Sequence, residues 1–212
     1  MHGVLEDMDI AARFTAAVYD PFFWLAERAG LAERRRALVA QAHGRTLEIG
    51  AGTGLNAAHY PDDVDLILTE PDEAMAARLR GRLDALGRRA DVVRAGADDL
   101  PFAASSFDTV VSTLVLCTVP DQKAALQEIT RVLRPGGVLL FLEHVRSDST
   151  RWARWQDRLN GPWRVFAAGC NCNRRTLDSL ERSPLRVDAV EHAPMRGMVP
   201  LIRPLAVGSA IA

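Results

Sequence analysis

Leu47-Glu48-Ile49-Gly50-Ala51-Gly52-Thr53-Gly54 decides how this chain is read. The stretch closes a short apolar run, 45–49, with the pattern of a strand, and is expected to open a helix. Glycines here let the chain turn sharply and let backbone approach a ligand where a Cβ would collide. Such a cluster alone is weak evidence, because nicotinamide and flavin proteins carry one as well. A tight strand-to-helix turn without any ligand is the plainer alternative.

Outward from this loop the pattern repeats. Strand candidates at 64–69, 90–94, 108–112 and 138–144 alternate with amphipathic helical stretches such as 72–86 and 121–132. Strands separated by helices imply parallel pairing through right-handed crossovers, hence an open α/β sheet. Before the loop, 9–18 and 21–42 read as helical, with Pro21 breaking the run. After 145 the rhythm changes. Residues 147–182 are rich in Arg and Trp and mostly helical in pattern, as in an insertion after the fifth strand. Two strand candidates follow, 186–193 and 205–211, joined by a loop carrying Pro194, Pro200 and Pro204. With no crossover helix between them they are expected to be antiparallel. The whole, 1–212, reads as one domain: N-terminal lid helices (9–43), a cofactor-binding core (44–145), a helical insertion (147–182) and a terminal strand pair (185–212).

Composition narrows the function classes. The 26 basic and 27 acidic residues nearly cancel, which argues against a nucleic-acid partner. The longest apolar run, Val110 to Val119, falls short of the roughly 20 residues that span a bilayer. Glu6, Asp7 and Asp9 are unlike a secretory leader. Cys117, Cys170 and Cys172 make no disulfide framework, so a cytoplasmic setting is the simplest expectation. Two cysteines one residue apart, with no second pair nearby, do not make a tetrahedral zinc site, and no metal is expected.

Spacing and neighbours choose the cofactor. A dinucleotide fingerprint spaces its glycines G-x-G-x-x-G and offers a helix N-terminus to a pyrophosphate. Here Gly50, Gly52 and Gly54 alternate, and Glu48 before the turn disfavours an anion. A carboxylate there suits a ligand bearing a positive amino group, as the methionine moiety of S-adenosylmethionine does. Glu70 ends the next strand, about 20 residues beyond the glycines, where an acid takes both ribose hydroxyls. In Gly96-Ala97-Asp98-Asp99-Leu100-Pro101, Asp98 is placed to accept from an adenine amino group beside the Ala97 backbone. Either Asp98 or Asp99 could instead cap a turn before Pro101.

Together with Ser106-Phe107-Asp108 entering strand four and Leu133-Arg134-Pro135-Gly136-Gly137 before strand five, these marks resemble the class I S-adenosylmethionine-dependent methyltransferases over residues 40–145. The resemblance implies a Rossmann-like seven-stranded sheet in the order 3-2-1-4-5-7-6, strand 7 antiparallel, with helices on both faces and a helical lid. It implies S-adenosylmethionine as cofactor, S-adenosylhomocysteine as product, and a contact set of Glu48, Gly50, Ala51, Gly52, Gly54, Glu70, Pro71, Met75, Ala97, Asp98, Thr113 and Tyr19. A nicotinamide oxidoreductase on the same fold is the competing enzyme class. A non-catalytic S-adenosylmethionine-binding protein is the alternative without turnover.

Finer resemblances address the acceptor. Ser112-Thr113-Leu114-Val115 is not the Asn/Asp-Pro-Pro-Tyr of enzymes that methylate exocyclic nitrogens, and no Pro-Cys pair resembles a cytosine-carbon enzyme. Tyr19-Asp20-Pro21 with Trp24-Leu25 resembles the lid helices of small-molecule methyltransferases acting on quinones, lipid amines and thiols. Phe141-Leu142-Glu143-His144-Val145, followed by Trp163 and Gly169-Cys170-Asn171-Cys172-Asn173-Arg174, is similar to the methyltransferase-like alkyl-thiol methyltransferases. Their animal members begin with a hydrophobic anchor that this sequence lacks, so membrane attachment is not carried over. The expected acceptor is a small lipophilic nucleophile, a thiol first, a quinol or phenol or a lipid amine next. His144 at the end of strand five is the candidate base, Glu143 pointing the other way by strand alternation. The Arg151, Arg154, Arg158 and Arg164 set with Trp152, Trp155 and Trp163 suggests an amphipathic helix, read as core anchors with a solvated face or as peripheral membrane contact. The oligomeric state is not legible.

Overall fold

A computed structural model describes residues 20–167 and 169–212. The expected 9–18 helix and Tyr19 lie outside those residues. At the centre is a seven-stranded sheet in the order β3-β2-β1-β4-β5-β7-β6. Its strands are β1 (Arg45–Ile49), β2 (Asp65–Thr69), β3 (Asp91–Val93), β4 (Phe107–Thr113), β5 (Leu133–His144), β6 (Arg186–Pro194) and β7 (Pro204–Ile211). The first five pair in parallel; β7 runs antiparallel to both β5 and β6. Strand order and the sense of the last pair match the expectation.

Helices flank the sheet. α1 is described over 20–26; a π-helical turn, Glu27–Leu31, carries the chain into α2 (Ala32–Val39). The helical reading of 21–42 is met by α1, the π turn and α2, and the chain before the expected break at Pro21 lies outside the described residues. The π turn contains Gly30 at φ 115, which places the kink nine residues further on. α3 (Glu73–Leu86) and α4 (Gln122–Val132) start where Asp72 and Asp121 accept backbone N–H groups at their N-caps. α3 stops at Gly87 in the left-handed conformation. The 147–182 segment forms α5 (Thr150–Phe166) and α6 (Thr176–Glu181). Among the described residues no helix is long and apolar enough to cross a membrane.

Strand alternation divides the core in two. Leu66, Leu68, Val111, Leu140 and Leu142 face a cluster containing Leu38 and Val39 of α2, Leu79 and Leu83 of α3, and Met195 to Leu205. Leu47, Ile49, Ile67, Leu139 and Phe141 face Leu126 and Ile129 of α4 and Leu180 of α6. Both sheet faces are thus covered, as strands buried on two sides require.

Two expectations are corrected. No α-helix follows the glycine loop; residues 52–59 form turns, with Ala57 and His59 donating to carbonyls three residues back. The segment is short and ends at Pro61, so a cooperative α-helix has no room to develop. Pro135-Gly136-Gly137 is also more than a turn before a strand. β5 begins at Leu133, which pairs with Phe107 across a register shift, and Gly136 and Gly137 exchange hydrogen bonds with Ala212.

Candidate functional site

The glycine loop leaves β1 at the C-terminal edge of the sheet, where open α/β folds place ligands. Gly50, Gly52 and Gly54 all have positive φ, at 55, 57 and 83°. A Cβ at Gly50 would meet Val115 Cγ2 at 2.8 Å and one at Gly54 would meet Leu79 Cδ1 at 2.6 Å. At Gly52 nothing lies within 4 Å. Two of the glycines thus serve packing, and the middle one leaves space above the loop. Thr53 Oγ1 donates to Asp20 Oδ1 at 2.5 Å, and Arg82 Nη2 pairs with the other oxygen of Asp20. This tie fastens α1 to the loop and to α3.

A polar pocket opens beneath the loop, lined by Gly50, Ala51, Gly52, Asn56, Glu48, Thr113 and Arg35. Asn56 Nδ2 donates to Glu48 Oε1 at 2.8 Å and to Thr113 Oγ1 at 2.9 Å. Tyr60 OH donates to Glu48 Oε2 at 2.8 Å. Arg35, 3% exposed on α2, donates to Thr113 Oγ1 at 3.1 Å and pairs with Glu27 at 2.9 Å. Burial raises the Glu48 carboxyl from 4.5 to about 7, against the pull of Tyr60, Asn56 and Arg35. The Tyr60 phenol is driven well up by burial and by its acidic neighbour. A buried cation and a buried acid that is half-protonated near neutrality therefore line one pocket.

Glu70, closing β2, accepts from Gly52 N–H at 2.8 Å with one oxygen and from Asp72 N–H at 2.9 Å with the other. Burial raises its carboxyl, the two amides lowering it in part. Pro71 is exposed and Met75 half-buried on the first turn of α3. Ala97 is buried. Asp98 is half-buried, and its carboxylate has no partner among the described residues.

Register decides which strand ends share this pocket. Glu48 pairs with Val111, Thr113 lies two residues further along β4 and pairs with Leu142, and His144 lies two beyond that. Glu48, Thr113 and His144 are consequently on one face. Glu143 points to the other, as expected. There it accepts from Ser112 Oγ at 2.6 Å, Val115 N–H at 3.1 Å and Cys117 N–H at 3.3 Å. Leu114, at φ 61, turns the chain back over it. His144 is 1% exposed; its Nδ1 lies 3.7 Å from Cys170 Sγ and its Nε2 has no partner among the described residues. Cys170 Sγ is in turn 3.9 Å from Cys117 Sγ.

Arg35, Asn56 and Tyr60 escaped the sequence reading. Each is an ordinary residue of an ordinary helical or turn pattern, and only folding brings them to Glu48. The Cys117–His144–Cys170 cluster escaped for the same reason: 26 residues or more separate any two of its members in sequence. Cys172 does not join this cluster. Cys172 is fully buried and its thiol faces the Gln156 carbonyl at 3.4 Å.

Comparison with known proteins agrees with the geometry. The methyltransferase domain family matches residues 47–141. The chain is 35% identical over 169 residues to human thiol S-methyltransferase TMT1A, covering 78% of this chain and 69% of that protein. Against human thiol S-methyltransferase TMT1B it is 35% identical over 173 residues, covering 76% and 71%. Among solved structures, an S-adenosylmethionine-dependent methyltransferase of Thermotoga maritima, described as a possible histamine N-methyltransferase, superposes with a TM-score of 0.70 at 24% identity. That likeness covers 94% of this chain and 96% of the other and concerns the fold.

Proposed function

Since this chain belongs to the S-adenosylmethionine-dependent methyltransferases, we propose that it transfers the methyl group to the sulfur of a small lipophilic thiol. The observation that carries the donor side is the pocket of opposite charges beneath the glycine loop. Glu48 takes the amino group of the donor's methionine end, and Arg35 and Thr113 take its carboxylate. The backbone at Gly50, Ala51, Gly52 and Gly54 passes close along the ligand, where the space above Gly52 has room for it. Glu70, already held by two backbone amides, takes the ribose hydroxyls; Pro71 and Met75 flank the nucleoside. The free carboxylate of Asp98, beside buried Ala97, takes the adenine amino group. Bound there, the donor supplies an electrophilic methyl on a sulfonium.

What the chain contributes to the step is alignment and exclusion of water. A positioned nucleophile is worth roughly 7–11 kcal/mol in ideal cases. A thiol of pKa about 8.5 already supplies a few per cent of thiolate at neutral pH, so no strong base is required. A phenol, at about 10, would lean on a base, and buried His144 on the donor face is the candidate for it. The rim fits a lipophilic acceptor. Phe22 of α1 and Phe166 of α5 lie 6.4 Å apart between ring centroids, with Val165 85% and Phe166 75% exposed. α1, α2 and α5 act as the lid. The thiol assignment rests on the two human relatives, whose named activity is thiol S-methylation.

The test offers the protein a methyl-deuterated donor with an equimolar mixture of an alkanethiol, an alkylphenol and a long-chain amine. Mass spectrometry then follows the label. Label accumulating in the thioether is the expected result; label in the aryl ether or the methylamine alone rejects the thiol reading.

A further inference from the structure

Cys117, His144 and Cys170 each offer one ligand atom, and these atoms all lie within 4.8 Å of one another. A zinc ion sits about 2.3 Å from thiolate sulfur and about 2.0–2.1 Å from imidazole nitrogen. In a tetrahedron those bonds give edges of about 3.8 Å between two sulfurs and about 3.6 Å between sulfur and nitrogen. The observed separations are 3.9 Å for Cys170 Sγ to Cys117 Sγ and 3.7 Å for Cys170 Sγ to His144 Nδ1. Two edges of one face of such a site are already at these lengths, and the third closes within 4.8 Å.

Burial and anchoring make the same case. The His144 ring is almost wholly buried; among the described residues its Nε2 has no partner and its Nδ1 meets only a sulfur. An imidazole removed from water without a good hydrogen bond is costly, and a cation on Nδ1 would remove much of that cost. The two cysteine segments are tied to each other. Asn171 N–H donates to the Cys117 carbonyl at 2.9 Å, and Asn171 Nδ2 does so at 3.3 Å. Arg174 Nη1 donates to the carbonyls of Leu116 and Val119, at 2.8 and 2.7 Å. Glu143 holds the Cys117 amide from the opposite side of the sheet. Bonds of this kind orient metal ligands in advance.

From this geometry we infer that Cys117, His144 and Cys170 form a three-ligand site for a thiophilic cation such as Zn2+, whose fourth position takes an exogenous thiolate. Two thiolates and an imidazole select such a cation over Mg2+ or Ca2+. Three protein ligands leave a tetrahedral position open, as in zinc sites that bind substrate. Cys117 and His144 are buried and Cys170 is half-exposed, so the open position is reached from the Cys170 side. His144 shares the sheet face of Glu48 and Thr113, which puts the site one strand away from the donor pocket. Coordination takes the proton from an incoming thiol and passes it to solvent, leaving the sulfur lone pairs available to an electrophile. The fourth-ligand assignment rests on the thiol reading above; the metal site does not.

The experiment titrates the metal-stripped full chain with Co2+, without methyl donor, and reads the visible and near-ultraviolet spectrum. One equivalent should give the ligand-field bands of a tetrahedral site and a thiolate-to-cobalt charge-transfer band. Cys117→Ser and Cys170→Ser should each weaken binding on the order of a hundredfold or more, while Cys172→Ser keeps it. S-adenosylhomocysteine affinity and a cooperative melt, followed in every variant, separate lost ligation from lost folding. Adding 2-mercaptoethanol should intensify the charge-transfer band. No thiolate-to-cobalt band, or one unchanged by Cys170→Ser in a folded protein, overturns the metal site. A band insensitive to 2-mercaptoethanol overturns the fourth-ligand assignment. A chain that methylates thiols yet binds no cobalt loses this inference and keeps its proposed function.

Discussion

Glu48 makes cofactor affinity depend on pH in a direction that the structure predicts. In the free protein its carboxyl is raised from 4.5 to about 7, because burial outweighs its bonds from Tyr60 and Asn56. At 1.36 kcal/mol per pKa unit, that is roughly 3 kcal/mol of preference for the neutral acid. A ligand ammonium beside it favours the carboxylate and pulls the pKa back down. Binding then expels a proton wherever the free acid is protonated, that is, below about 7. At pH 6 about nine-tenths of the free protein carries that proton, so affinity should be roughly tenfold below its plateau. Above about pH 8 the dependence should vanish. Calorimetric titration of S-adenosylhomocysteine in buffers of different ionisation enthalpy counts the proton directly. Close to one proton released at pH 6, and almost none at pH 8, is the expected pattern. Burial also raises the Glu70 carboxyl, so Glu48→Gln is the decisive control. The variant should bind more weakly at pH 8 and lose most of the pH dependence. A wild-type profile flat from pH 6 to 8, or a slope retained in Glu48→Gln, would refute the placement of the ammonium against Glu48.

Glu70→Ala should weaken S-adenosylhomocysteine at least tenfold, since the ribose acceptor and the anchor for Gly52 N–H go together. Fluorescence titration reads this, and unchanged affinity sinks the ribose assignment. Gly50→Ala and Gly52→Ala should separate stability from binding. Both incur the left-handed penalty, about 1–2 kcal/mol for a residue with a Cβ, but only Gly50→Ala also collides with Val115. In urea melts Gly50→Ala should be the less stable, whereas Gly52→Ala should lose cofactor affinity at modest cost in stability. Equal effects of the two on both readouts would contradict the division of roles. Glu143→Ala should cost about 3 kcal/mol or more, because Ser112 Oγ and two loop amides lose their acceptor. Glu143→Gln, which keeps a carbonyl acceptor, should recover much of this in the same melts.

The fold was legible where one local signal had one physical meaning. Short continuous apolar runs became strands because both sheet faces are covered, and Asp72 and Asp121 began helices because each accepts the N–H groups a helix start leaves unpaired. The proline-punctuated tail gave an antiparallel pair for want of a crossover helix. The misses have local causes too. The glycine loop was expected to open a helix, but the segment before Pro61 is too short, and Asn56 commits its side chain to Glu48 and Thr113. A kink within the expected 21–42 helix was not foreseen; it comes from Gly30 in the π turn.

Site legibility follows a different rule. Glu48, Glu70 and the glycines could be grouped in advance because their places follow from a strand and its following turn. Arg35 could not. It lies among Arg34, Arg35 and Arg36, three consecutive cations on a helix, and only one azimuth of that helix faces the sheet. Arg34 reaches Glu191 at a 33%-exposed position, while Arg35, 100° further round, is buried against Asn56 and Thr113. A buried guanidinium is tolerated only where acceptors surround it, and Glu27, Asn56 and Thr113 supply them here. Arg35 and Glu48 sit in the same pocket, and their charges do not meet in a direct salt bridge. Asn56 and Thr113 stand between them as the hydrogen-bonding link. That separation is what a zwitterion needs. A direct Arg–Glu bridge would satisfy both charges internally and leave the pocket little to offer an amino acid. Here Arg35 is bridged by Glu27 while Glu48 has no cation directly against it, consistent with a Glu48 carboxyl held as high as about 7 despite a cation nearby. On the proposed placement of the donor, Asn56 is the residue that couples the two ends of the ligand. Asn56→Ala should therefore impair recognition of both ends, lowering S-adenosylhomocysteine affinity more than adenosine affinity. Equal losses for the two ligands in parallel titrations would show that Asn56 serves only to hold the loop.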